Sequence, residues 1–166
     1  MQAAEQGALQ AKGKAIAPAL RALAEATGRP FTIKTKDGRV RIQKALYLLK
    51  AAGYPRAQKF EFSIYLSGPY SPELTQVYYV LEDDGIADAT PARDVPKDVL
   101  GWFSEADANG VEFLEALTTV IDGAKSFGAG RPGLDWAASI KPHIPEATWK
   151  EVRRFLRKYP RLIGST

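Results

Sequence analysis

The chain has 166 residues, a net charge of +4, 45% hydrophobic and 25% charged residues, the proportions of an ordinary globular protein that folds as one domain and buries roughly 70% of its unfolded surface. It has no cysteine and one histidine, which excludes disulfides, thiol catalysis and cysteine-ligated zinc and leaves any zinc site in need of three carboxylates around a single imidazole. No apolar run reaches the roughly 18 residues of a membrane span, and no charged leader precedes an apolar core at the start, so a cytoplasmic location without membrane association is expected.

The first dozen residues are small, polar and Ala-rich, and read as a mobile start. A short helix is expected from Pro18, where the missing N–H is tolerated, to Gly28. In RPFTIKTKDGRV, Phe31 and Ile33 alternate before a turn signal at Asp37-Gly38, which suggests a hairpin with poor register in its second strand. RVRIQKALYLLKAAG reads as a helix ending at Gly53, with Ile42, Leu46 and Leu49 as its apolar stripe and Arg41, Lys44 and Lys50 off that face. KFEFSIYL predicts a half-buried strand, Phe60, Phe62, Ile64 and Leu66 on one side and Glu61, Ser63 and Tyr65 on the other.

Gly68-Pro69 then allows a sharp exit, with Ser71 as N-cap, Pro72 at the first helical position and Glu73 at the positive end of the dipole. That helix carries Leu74, Val77, Tyr78 and Leu81 inward and is closed by Gly85. Further helices are predicted over roughly 95–107, 110–127 and 145–159, with a short one near 134–141. The fold class is therefore α+β and mainly helical: a single compact domain of about six helices with a short strand or hairpin. Its parts are an N-terminal extension over residues 1–38, a main unit over 39–160 and a tail over 161–166.

Charge is unevenly spread. Residues 29–59 carry nine basic groups against Asp37, residues 60–147 carry fifteen acids against five basic groups, and residues 148–166 carry six basic groups against Glu151. Such segments either pair with one another in the fold or mark a polyanion footprint.

The chemistry-bearing motifs are few. His143 lies between two prolines with no thiol to partner it, which marks a loop or capping residue. GAGRPG at 128–133 has the letters of a dinucleotide fingerprint, but a helix precedes it where a strand is required and Pro132 interrupts it. The acid pairs Asp83-Asp84, Glu105 with Asp107 and Glu112 with Glu115 are what a carboxylate-based hydrolase would use, yet nothing in their spacing places two in one cleft. Glu82-Asp83-Asp84 at the end of a helix opposes the macrodipole, so Arg or Lys partners are expected, within the chain or from another protein. No metal or cofactor site is expected.

RIQKALYLLKAAG followed by FEFSIYLSGPYSPELTQVYYVLEDDG resembles the YwgA-like uncharacterised proteins, and through them the Panacea, or SocA-like, domain. The matching positions are Gln43, Lys44, Leu46, Tyr47, Tyr65, Gly68, Pro69, Tyr70, Ser71, Pro72, Glu73 and Leu74, and SIKPHIPEATWKEVRRFL resembles that group's Lys-Pro element and final helix. Ser67 departs from the pattern, standing where relatives often carry an aromatic. The resemblance covers roughly residues 39–158 and implies non-enzymatic work, binding and neutralising a toxin or acting as an adaptor or defence accessory.

Two functional expectations follow. As a protein-binding module, antitoxin-like, regulatory or part of a defence system, the chain would present Tyr65, Tyr70, Tyr79, Glu73, Asp83 and Asp84 to its partner, with Gly68, Pro69, Ser71 and Pro72 shaping the corner. As a winged-helix-like DNA-binding regulator it would use Arg39, Arg41 and Lys44 with Arg153, Arg154, Arg157 and Lys158. Self-association into a homo-oligomer stays open under both.

Overall fold

A computed structural model describes residues 2–66, 68–128 and 130–163. The departure noted at Ser67 therefore falls outside the described residues, as does the end of the 161–166 tail from Gly164 onward. Among the described residues there are seven α-helices and one two-stranded antiparallel hairpin, a mainly helical α+β fold: α1 (Ala3–Thr27), α2 (Lys36–Ala51), β1 (Ser63–Tyr65), β2 (Gly68–Tyr70), α3 (Pro72–Ala87), α4 (Lys97–Ala108), α5 (Val111–Phe127), α6 (Arg131–Ile140) and α7 (Glu146–Lys158), with single 3-10 turns at Pro55–Ala57 and Pro160–Ile163. None of these helices is long and apolar enough to cross a membrane.

α5 is the central element. Residues on every side of it are buried, from Phe113 to Ala124, as expected of a helix surrounded by others. It packs against α2, α4, α6, α7 and the hairpin. The Thr118 and Thr119 hydroxyls donate back to the carbonyls of Leu114 (2.8 Å) and Glu115 (2.7 Å), so the two polar groups enter the core satisfied.

α2 is enclosed in the same way. Every residue from Arg41 to Leu49 is buried, which corrects the reading of Arg41 and Lys44 as cations on an outward face. A helix packed on several sides has no free polar face, and each polar side chain on it must find a partner in the interior. Arg41 does so completely: its guanidinium donates to both Asp107 carboxylate oxygens (2.7 and 3.0 Å) and to the Pro30 and Arg29 carbonyls (3.0 and 3.1 Å), and lies over the Phe31 ring.

Four other boundaries differ from expectation. Residues 3–27 form one helix in place of a mobile start and a short helix from Pro18. Leu9, Ile16, Leu20 and Leu23 give α1 a continuous buried face against α3 and α4, joined to the common core; Pro18 removes only the bond to the Lys14 carbonyl, on the exposed side. The Asp37-Gly38 signal is the first turn of α2, not of a hairpin: Thr35 caps it by accepting from the Gly38 N–H (3.0 Å), and Asp37 sits at the favourable end of the dipole. The strand expected over KFEFSIYL shrinks to Ser63–Tyr65, because its one partner is the short β2. Phe60 is buried and Phe62 packs edge-on to Tyr47, while Leu66 sits on the hairpin turn, 92% exposed. α6 begins at Arg131, so Pro132 lies in its first turn and Gly133 packs against α5.

α3 runs past Gly85 to Ala87 but breaks at Glu82, whose backbone is left-handed (φ 59°, ψ 176°). Asp83 and Asp84 therefore open a second helical turn and do not end a long one, and the dipole there favours acids. Of the Arg or Lys partners expected for this acidic run, Lys34 contributes through its charge, while the direct donors are hydroxyl and main chain: Asp83 accepts from the Thr32 hydroxyl (2.6 Å) and the Ile33 N–H (2.7 Å).

Candidate functional site

The corner between β1 and α3 is assembled by side chains from three distant segments. Ser71 caps α3, its hydroxyl accepting from the Leu74 N–H (3.3 Å), with Pro72 at the first helical position. The Gln43 amide of α2 clasps both main-chain groups of Ser71, accepting from its N–H (2.8 Å) and donating to its carbonyl (2.9 Å). One turn face along, the Lys44 ammonium donates to the Pro69 carbonyl (2.8 Å). From the segment after α6, Lys141 donates to the Tyr65 carbonyl (2.8 Å) and to that of Leu66. Two buried ammonium groups thus hold the main chain of one short hairpin, a role a two-stranded ribbon needs because it is marginal alone.

Gly68 is required here twice over. Its φ is +94°, and a Cβ would come within 3.0 Å of the Thr119 hydroxyl and 3.2 Å of the Lys44 Nζ. The acid of this cluster is Glu115 on α5, 3.5 Å from Lys141 Nζ and 3.2 Å from His143 Nε2. Desolvation lowers Lys44 to about 7, against the partial offset of Glu115 and with a smaller push from Lys141.

Over this corner lies an open groove of about 360 Å³. Its apolar walls are Tyr65 and Leu66 of the hairpin arm, Tyr70, and Tyr78 and Tyr79 of α3; Val40, Thr75 and Gln43 complete it, with Lys36, Arg39 and Lys44 from α2. Tyr65 and Tyr79 are each 50% exposed. Tyr65 and Tyr70 meet edge-on at 5.1 Å, and the Tyr70 hydroxyl bonds that of Thr75. Burial raises the Tyr78 phenol above its ordinary range.

The residues expected to act together divide into separate places. Tyr65, Tyr70 and Tyr79 do converge on the groove. Glu73 lies elsewhere, ion-paired to Lys12 of α1 (2.7 Å), and Asp83 is held by Thr32 and Ile33, with the exposed Asp84 beside it. Of the cations, Arg39 lines the groove, Arg41 and Lys44 are buried, and three residues of α7 are paired: Arg153 with Glu146 (2.9 Å), Arg154 with Glu151 (3.1 Å) and Lys158 with Glu105 (2.9 Å). Arg157 lines a second cavity, of about 750 Å³, between α5, α6 and α7. The acid pairs do not share a cleft: Asp107 goes to Arg41, Glu105 to Tyr159 and Lys158, Glu112 to Thr148 and Glu115 to Lys141. Among the described residues no three His, Cys, Asp or Glu gather as a metal-binding group.

Sequence reasoning missed Lys36, Leu66 and Tyr78 as groove walls and the Lys141–Glu115 arm beneath it. Lys141 entered only through the Lys-Pro element of the resemblance; no periodicity marks it. The structure nevertheless explains why the three resembling segments occur together. QK, GPYS and the Lys-Pro element are the parts that lock one hairpin in place.

Fold and site together define a mainly helical α+β protein with a tyrosine-walled groove over a lysine-clamped hairpin. No protein-family model matches the chain, and no solved structure matches it. It is similar to the uncharacterized protein YwgA of Bacillus subtilis (strain 168), with 29% identity over 108 residues, 51% of this chain and 63% of YwgA. The chain is YwgA-like to that extent, and the match spans less than two thirds of that relative's length.

Proposed function

We propose that the chain is a non-enzymatic protein-binding module and that the tyrosine groove receives its partner. One observation carries this reading. Five large apolar side chains stay exposed among the described residues, and three of them, Tyr65, Leu66 and Tyr79, line this one groove. Half-exposed tyrosines on a concave, partly apolar surface are the composition of interface hot spots, since they offer large contact area at small entropic cost. The proposed relation to the Panacea domain extends the reading to a partner class: a toxin or defence protein met in the cytoplasm and bound without a cofactor.

The DNA-binding reading draws less support. Two of its seven cations are buried, and three more are ion-paired on α7. A test that separates the two is capture from the native cell with the wild type and with the Tyr65→Ala/Tyr79→Ala variant, beside a salt titration against duplex DNA. The expected result is one stoichiometric protein held by the wild type and lost by the variant. Capture indifferent to both tyrosines, or DNA retention that falls steeply with salt, overturns the proposal.

A further inference from the structure

The charges of the groove are of one sign. Its basic lining is Lys36, Arg39 and Lys44, with no carboxylate. Among the described residues none of the three forms an ion pair: Arg39 donates to the Ile33 carbonyl (2.8 Å) and Lys44 to the Pro69 carbonyl (2.8 Å), both neutral acceptors. The contrast with the larger cavity between α5, α6 and α7 is informative. There Arg131 is matched by Asp135 (3.7 Å) and Arg153 by Glu146 (2.9 Å), all four residues lining the cavity itself. That cavity sets two carboxylates against Arg131, Arg153 and Arg157. The tyrosine groove sets none.

A buried ammonium whose desolvation is only partly offset, here by the shared Glu115, is costly, and in an open groove an incoming anion relieves that cost. We propose that the groove binds an acidic segment of a partner protein, seating a bulky apolar side chain among Tyr65, Tyr70 and Tyr79 and a carboxylate at the cationic end formed by Lys36 and Arg39, above the buried Lys44. This rests on the reading of the groove as the docking surface and specifies the chemistry of what docks. The groups facing Lys44 agree with it. Glu115 on α5 is already shared between Lys141 and His143, Lys141 adds positive charge beside Lys44, and Arg39 and Lys36 of its own helix line the same groove. With Lys44 lowered to about 7 by burial, an arriving carboxylate restores its charge, and binding takes up a proton near neutral pH.

The test uses the full chain immobilised against displayed random 12-residue peptides, with the enriched sequences then made as fluorescein-labelled peptides for anisotropy. Enrichment of Asp or Glu beside an aromatic or leucine is expected. Exchanging those acids for Asn or Gln should weaken binding at least tenfold, as should Arg39→Glu and Tyr79→Ala, while Arg154→Glu leaves it unchanged. Lys44→Met is included where circular dichroism shows it folded; Arg39→Glu, at a partly exposed position, keeps the question answerable where it is not. Peptides with no acidic preference, or acid-to-amide exchanges without effect, overturn the inference. If Tyr79→Ala still lowers affinity in that case, the docking reading survives and only its acidic chemistry falls; if it does not, both fall. Self-association abolished by Tyr79→Ala, or salt-sensitive displacement of the peptide by duplex DNA, overturns it in favour of a second copy or a nucleic acid.

Discussion

Arg41 shows how far a side chain's surroundings can depart from its place in the sequence pattern. Its bidentate pair with Asp107 is buried at both ends, the two side chains 5% and 1% exposed. Asp107 stands in the last turn of α4, where the dipole disfavours an acid, so the guanidinium answers two penalties at once. Asp107→Ala leaves that cation buried and unpaired and should lower unfolding free energy by about 3–5 kcal/mol, read by chemical denaturation, whereas Arg154→Ala on the exposed face of α7 should stay within about 0.5 kcal/mol. The double change Arg41→Met/Asp107→Leu should recover much of the loss; a double variant as unstable as the single would show that the pair is not the cause. Lys44 gives a second residue-level test. Its folded pKa of about 7 lies below the ordinary lysine value of 10.5, so between these limits the unfolded chain holds the extra proton and this group's contribution to stability rises with pH. The slope is at most about 1.4 kcal/mol per pH unit. Wild-type unfolding free energy minus that of Lys44→Met should therefore increase from pH 7 to 9.5, and a flat difference would remove the buried-amine account. Neither burial was legible in the sequence, because a cation on a helix reads the same whether its neighbours are water or three other elements. The tyrosines were legible as a concentration in one segment. Their separation into walls of a groove and core residues such as Tyr47 required knowing which side of α2 and α3 the hairpin covers.

Elements were legible where apolar residues keep a helical period between clear breakers. α4, α5 and α7 lie within two residues of their expected limits, because Val111, Leu114, Leu117 and Ile121, and Trp149, Val152, Phe155 and Leu156, keep helical spacing between clear breakers. Boundaries were not legible where the fold tolerates a breaker. Pro18 sits inside α1, Pro132 in the first turn of α6, and Gly38 in the first turn of α2. Conversely, the break at Glu82 has no proline or glycine to announce it. Its backbone is in a region that side chains rarely adopt, worth about 1–3 kcal/mol of strain, and the residue is exposed, so Glu82→Gly loses no packing. Set against glycine's entropic penalty of roughly 0.5–1 kcal/mol, Glu82→Gly should stabilise by about 1 kcal/mol while Glu82→Ala gives no such gain. A thermal melt of the two variants decides it: equal melting temperatures would mean the left-handed turn carries no strain. The opposite outcome belongs to Gly123, where α5 and α6 approach so closely that a Cβ would meet Trp136 at 2.7 Å and the Gly133 carbonyl at 2.9 Å. Gly123→Ala should separate the two helices and cost about 1–3 kcal/mol.

At the scale of the whole molecule, part of the uneven charge of the sequence resolves into internal pairs. The basic stretch from 29 to 59 meets the acidic middle through Arg29 and Arg41 on Asp107 and Arg56 on Asp94, and the basic end meets it through Lys158 on Glu105. The group of Lys36, Arg39 and Lys44 is local, three cations within just over two turns of α2 facing an aromatic wall. A surface of that size can neutralise two or three charges of a partner, not the row of phosphates that a duplex presents. The two cases differ in how they respond to salt. A DNA-binding protein contacting six to ten phosphates loses about 10³–10⁵ in affinity between 50 and 200 mM salt. A groove that holds one apolar anchor and a carboxylate or two should lose less than about tenfold over the same range, since most of its binding comes from buried tyrosine surface that salt does not screen. Measured with the labelled acidic peptides, a shallow slope is expected for the wild type, flatter still in Arg39→Glu, and unchanged in a triple variant reversing Arg153, Arg154 and Lys158 on α7. A steep slope that the α7 variant abolishes would relocate the functional surface to the last helix and make the tyrosine groove a structural corner.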